Sequence, residues 1–152
     1  MTATGVRIGG SDFLNAEPPS GFGIKMYYHE ESGRTRGEIV FDAAKQGPPG
    51  CAHGGAVATV LDEAMGAVAW FNGHSALAVN LNVNLRHGVP LETPLSVSGW
   101  IEKVDGRKVH AAAELHLPDG RVAASSTGLF IRVEFSGMSQ EDNPFRPLKE
   151  QD

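Results

Sequence analysis

The chain has 152 residues, 41% hydrophobic and 20% charged, which is enough for one domain with its own core and too apolar for disorder. A formal charge of −5 with no basic run argues against nucleic acid as a partner, and no apolar stretch approaches membrane-spanning length. The single cysteine excludes an intramolecular disulfide framework, and the first residues lack a basic-then-apolar leader, so the expected location is cytoplasmic.

Residues 1–20 are polar and contain prolines, and they read as a loosely ordered segment ahead of a single domain over 21–135. Two short strands are expected at 21–30 and 34–42, joined at Glu31-Ser32-Gly33 and rich in Tyr, Ile, Val and Phe. Pro48-Pro49-Gly50 then breaks regular structure within a loop over 45–52. From His53-Gly54-Gly55 a helix runs to Phe71 and stops at Asn72-Gly73.

That helix is apolar on nearly every face, so the protein has to bury it. Two adjacent carboxylates, Asp62 and Glu63, nevertheless sit inside it. Burying an ionised acid is costly unless it is paired, hydrogen-bonded or neutralised, so this pair points to chemistry. Asp62 stands nine residues beyond His53. Nine steps are about 900° of rotation and roughly 13 Å along the axis, which puts the two on opposite faces and apart. One helix cannot bring both to the same atom, whereas a second copy running antiparallel beside it can. The spacing therefore favours a site shared across a twofold dimer. A glycine-rich turn leading into a core helix with capping or pairing acids is the plainer alternative. Glu63 is rotated about 100° from Asp62 and reads as a structural hydrogen bond or ion pair.

After the helix the period switches to two. In ALAVNLNVNLR, Leu77, Val79, Leu81, Val83 and Leu85 alternate with Ala78, Asn80, Asn82, Asn84 and Arg86, a strand pattern whose Asn row suits a polar dimer seam. Strands follow at 94–105, 107–117 and about 121–134, with Asp105-Gly106 and Asp119-Gly120 as hairpin turns. Residues 136–152 form a polar tail. One apolar helix and five or six antiparallel strands define an α+β fold, a sheet curled round the helix.

Other chemistry-bearing residues point nowhere in particular. Cys51 lies two residues before His53, but no third group orients a Cys/His pair, and a small buried residue is the simpler reading. His110 and His116 share a strand face six residues apart, about 20 Å, too far to hold one metal ion. Trp70 and Phe71 at the helix end suit core packing or the lining of an apolar pocket.

The segments QGPPGCAHGGAVATVLDEAMG and NLNVNLRHGVPL carry a resemblance. Over residues 35–133 the chain resembles the hotdog-fold acyl-CoA thioesterases, in the branch that includes the phenylacetate-pathway thioesterase, and is similar there to the animal mitochondrial long-chain acyl-CoA thioesterases. The resemblance implies a helix wrapped by an antiparallel sheet, subunits paired through their sheets and often paired again into a tetramer, and active sites at the dimer interface. It implies hydrolysis of an acyl-CoA to a carboxylic acid and free CoA without metal or cofactor. Asp62 would activate water or attack the thioester itself, and His53, Gly54 and Gly55 of the other subunit would bind the thioester carbonyl.

The chemistry suits these residue types. A backbone N–H at a helix N-terminus stabilises the oxyanion, and glycine lets the substrate approach the backbone. Position against the family gives Asn84, Arg86 and His87, and Gly106, Arg107 and Lys108 at the next hairpin, as candidate contacts to the anionic CoA. Two positions depart from the family. Ala78 stands where a Ser or Thr often helps hold the attacking water, leaving Thr59, Asn80 or a bound water to substitute, and Gly88 stands where relatives often have Pro. A hotdog dehydratase or hydratase, and a non-catalytic acyl-CoA-binding module, remain the alternatives.

Overall fold

The computed structural model describes residues 5–139 and 141–148. In chain order it contains β1 (Val6–Gly10), α1 (Asp12–Asn15), β2 (Lys25–His29), β3 (Arg34–Ile39), α2 (Gly54–Phe71), β4 (Ala76–Leu85), β5 (Leu95–Asp105), β6 (Lys108–His116), β7 (Val122–Arg132) and β8 (Phe145–Pro147). The strands form one antiparallel sheet in the order β4-β7-β6-β5-β3-β2-β1-β8, curled around α2. Six of them, β2 to β7, lie where the sequence pattern puts strands. The other two correct the expected number to eight among the described residues. They come from the chain ends, which the sequence suggested were loosely held, and they pair with each other at Ile8↔Pro147 and Gly10↔Phe145.

Local chemistry explains the boundaries of α2. His53 is the N-cap, with extended backbone, and its ring Nδ1 accepts from the Gly55 N–H at 2.9 Å. At the other end Asn72 caps the helix, donating from its side chain to the Val68 carbonyl at 2.8 Å, and Gly73 follows at φ +89°. Between these caps Val57, Val60, Leu61, Ala64, Met65, Ala67, Val68 and Ala69 are all buried.

The sheet meets the helix backbone directly. The buried Thr35 hydroxyl donates to the Ala64 carbonyl at 3.1 Å, and at Gly99 a Cβ would stand 2.6 Å from that same oxygen. Only glycine permits this approach on the neighbouring strand β5, so Gly99 and Thr35 fix how deeply α2 sits.

The strand β4 departs from its expected pattern. A bulge between Ala78 and Asn80 shifts the pairing with β7 and interrupts the strict alternation. β4 is also an edge of the sheet, and Leu77, Val79, Leu81 and Leu85 are 53, 58, 43 and 55% exposed. A long apolar edge strand left open is a surface that invites a partner strand.

Gly99→Ala should destabilise the fold by about 1–3 kcal/mol, because the new methyl meets a helix carbonyl that cannot swing aside. Urea unfolding checks this through a lowered midpoint at unchanged m-value.

Candidate active site

Asp62 and Glu63 both line a cavity of 280 Å³ on the side of α2 next to the start of β4. Gly66, one turn further along, faces the same space, as do Trp70, Ala78 and Phe145. Burial raises the Asp62 pKa above the ordinary carboxylate value. For Glu63, burial and then the neighbouring Asp62 push it up to about 8. The sequence reading gives Glu63 a structural hydrogen bond or ion pair. Among the described residues it has neither, so the neutral acid is its favoured form at pH 7. With no cation placed beside these acids among the described residues, burial favours neutralising one of them.

The N-terminus of α2 lies at the opposite end of the same strand. A Cβ on Gly54 would stand 3.0 Å from Leu85 Cδ1, at the last residue of β4. The helix and β4 therefore run antiparallel, Gly54 beside Leu85 and Asp62 beside Leu77 and Ala78. The Gly55 N–H is occupied by His53 Nδ1, which leaves the proton of a neutral ring on Nε2. The Gly54 N–H has no acceptor among the described residues. Within one chain, then, Asp62 and the His53-Gly54-Gly55 turn remain apart, as the helical spacing predicts.

The two groups of candidate CoA contacts also separate. Asn84, Arg86 and His87 are exposed at the end of β4 that carries Leu85. Gly106, Arg107 and Lys108 are exposed at the β5–β6 turn, where Gly106 takes φ +59°. Lys108 lies opposite Ile131, which lies opposite Leu77. Seven strand residues, about 23 Å, thus divide Lys108 from Asn84 along the sheet. A second cavity of 710 Å³ opens at the Arg107 end, lined also by Arg132, a cation the sequence reading did not single out. Arg132 gave no signal because only the register of β7 against β4 and β6 brings it beside that turn. This cavity and the one at Asp62 share Phe135 and Met138 as a common wall.

The departures at 78 and 88 have structural counterparts. No serine or threonine lines the Asp62 cavity among the described residues. Thr59 Oγ1 is turned back onto the Gly55 carbonyl at 2.8 Å, and Asn80 lies outside the lining. At Gly88 a Cβ would stand 3.2 Å from Cys51 Sγ, so the cysteine occupies the space a larger residue would take. Cys51 is half-buried and pairs with Pro90 in an isolated bridge. No group of three or more His, Cys, Asp or Glu among the described residues is placed to hold a metal ion, and no helix there is long and apolar enough to cross a membrane.

A single long helix wrapped by an antiparallel sheet, with a carboxylate midway along it and a glycine turn at its start, defines a hotdog thioesterase fold. The thioesterase superfamily model matches residues 49–124, half of the chain, and the chain belongs to that family. Among curated relatives, acyl-coenzyme A thioesterase THEM4 of Bos taurus is 31% identical over 117 residues, which is 75% of this chain and 48% of that protein. The chain thus spans about half the length of the curated relatives it matches. A solved thioesterase superfamily protein of 31% identity aligns with a TM-score of 0.70 over 74% of this chain and 55% of its own. A Streptococcus pneumoniae thioesterase solved with coenzyme A shares the fold at 18% identity and a TM-score of 0.64, over 66% of this chain and 82% of its own.

Replacing Glu63 tests the neutral-acid assignment. Its folded pKa stands above the ordinary 4.5, so its support of the fold is complete below pH 4.5 and fades as pH rises towards about 8. The melting temperature of Glu63→Gln should therefore gain on wild type steadily from pH 4.5 to about 8. A difference that stays flat with pH would overturn the neutral-acid assignment.

Proposed function

We propose that this protein is an acyl-CoA thioesterase acting as a homodimer, with Asp62 of one subunit and the Gly54 N–H of the other serving one substrate. The observation that carries the proposal is the antiparallel run of α2 and β4. If two β4 edges pair antiparallel about Leu81, Leu85 of one subunit lies opposite Leu77 of its partner. That pairing brings the partner's Gly54 beside Asp62 and Ala78. It also brings the partner's Asn84 and Arg86 to the same end of the sheet as Arg107 and Lys108, about 14 Å away across β4 and β7. The catalytic halves and the CoA-binding halves, both split within one chain, are completed by the same twofold axis. The open apolar edge of β4 supports that pairing.

In this arrangement the thioester carbonyl points at the Gly54 N–H, where the positive end of the helix dipole favours the negative charge of the tetrahedral intermediate. His53 does not touch the carbonyl. It holds the turn by accepting from Gly55, which leaves Gly54 as the donor. The raised pKa of Asp62 makes its carboxylate a better base towards water at neutral pH. Water adds to the carbonyl carbon as Asp62 takes its proton, and the C–S bond then breaks to release the carboxylic acid and the CoA thiol. The alternative in which Asp62 attacks directly, giving a mixed anhydride, uses the same groups. With no hydroxyl at position 78, a bound water takes the place of the side chain that would help hold the nucleophile. No metal or cofactor takes part in this scheme.

Acyl-CoA thioesterase is the name of the matched relatives, and the half-length match makes that activity a proposal for this chain. Thiol release from short, long and aryl acyl-CoAs tests it. Asp62→Ala should lose turnover by several orders of magnitude while still binding CoA esters. A panel that binds without turnover in wild type would instead mark an acyl-CoA-binding module. Gly54→Pro removes the N–H at a helix position that accommodates proline, and should cost on the order of 10²–10³ in kcat. Mixing it with Asp62→Ala should restore activity through heterodimers that keep one intact site, and no rescue would refute the shared site.

Neutralising Arg86 and Lys108 should raise KM in a salt-sensitive manner and leave kcat nearly unchanged, since both would hold CoA in ground and transition state alike. An unchanged KM would remove them from the CoA site.

A further inference from the structure

The cavity beside Asp62 is closed on its far side by a part of the chain that lies outside the matched residues 49–124. After β7 the chain crosses over α2, and Phe135 packs on Trp70 at 5.2 Å between ring centroids. It returns as β8, where Phe145 lies 5.8 Å from Trp70 and covers Gly66, whose Cβ, if present, would stand 3.0 Å from the Phe145 ring. Pairing with β1 and the Leu148 N–H bond to the Arg7 carbonyl at 2.7 Å anchor this strap to the sheet.

We propose that this C-terminal strap is the end wall of the acyl site and restricts the protein to compact acyl groups. The inference rests on the reading of Asp62 as the hydrolytic carboxylate. Beyond Asp62 and Glu63 the lining is mostly apolar or small, from Gly66, Trp70, Phe130, Phe135, Met138 and Phe145, with Asp142 of the strap as one further carboxylate. A dry apolar cavity of about 150 Å³ holds one benzene. The present one, at 280 Å³, holds about one ring with a short linker, or an alkyl chain of similar bulk. A long acyl chain entering past Asp62 runs into Phe145.

The test is kcat/KM for acetyl-, hexanoyl-, phenylacetyl- and palmitoyl-CoA with wild type, Phe145→Ala and Gly66→Ala. Wild type should favour the hexanoyl and phenylacetyl esters over palmitoyl-CoA. Phe145→Ala opens the wall and should raise the palmitoyl-to-hexanoyl ratio by about tenfold or more, the scale on which apolar pockets sense chain length. Gly66→Ala adds a methyl to the cavity lining against Phe145 and should lower that ratio. Opposite shifts from two substitutions in contact cannot come from a general loss of stability, and if Phe145→Ala does not fold, the Gly66→Ala arm decides alone. A wild type that works best on palmitoyl-CoA, or ratios unmoved by the variants that fold, would overturn the inference and leave the thioesterase reading intact. No turnover of any ester by wild type would overturn both.

Discussion

Every part of this molecule is arranged around the need to cover α2. A helix without a polar stripe gains stability only if each face is removed from water, and one curled sheet reaches most of them but not all. Thr35 and Gly99 set the depth of the contact by bringing the Ala64 carbonyl onto the strands themselves. With the helix that deep, its buried side is rigidly placed and its remaining side is left to other elements. Asp62 and Glu63 are on that remaining side, where the start of β4, Phe130 of β7 and the strap wall the cavity they line. A carboxylate buried in such a place is poorly solvated, and the raised pKa of both acids follows from that burial, with Asp62 adding to it for Glu63.

The direction of the chain does the rest. Because α2 and β4 are joined by a tight turn at Asn72–Ser75, they run antiparallel and in contact. The helix start and the strand end therefore share one pole of the subunit, and the carboxylates and the strand start share the other. Any twofold axis that pairs the β4 edges exchanges these poles. In the proposed dimer a single packing rule assembles oxyanion donor, base and CoA cations from residues that no one subunit brings together, without a loop long enough to span the molecule.

What the sequence made legible was what local periodicity encodes. The helix boundaries at His53 and Asn72, the hairpins at Gly106 and Gly120 and the β4–β7 strands follow from side-chain period and turn chemistry. The separation of His53 from Asp62 was legible for the same reason, since a helix converts residue number into angle and distance. β1 and β8 were not, because each is short, one ends in Gly9-Gly10, and β8 exists by pairing with β1 across nearly the full length of the chain. No local pattern announces such a pair. The bulge at Ala78/Asn80 and the missing partner of Glu63 were hidden in the same way, being consequences of which strand lies alongside and which charge does not. Arg132 belongs to this group too, placed near Arg107 only by sheet register.

The residues matched to the family end at 124, while Phe135, the first strap residue at the cavity, stands eleven residues later. The matched part contains everything the hydrolytic reading requires, from the Gly54 donor through Asp62 to the cations at 86 and 107–108. The strap borders the space a substrate would fill beyond them, sharing cavity walls with Asp62 and with Arg107. Such a division separates two demands that conflict when placed on the same residues. A rate-determining geometry tolerates little displacement, since moving a catalytic group by about 1 Å costs on the order of 10² in rate. The size of an apolar pocket, in contrast, can be changed one side chain at a time at a cost of about 1–3 kcal/mol. A wall built from a terminal segment, anchored by backbone pairing and contributing only side chains to the cavity, can therefore vary without disturbing the helix that carries the chemistry.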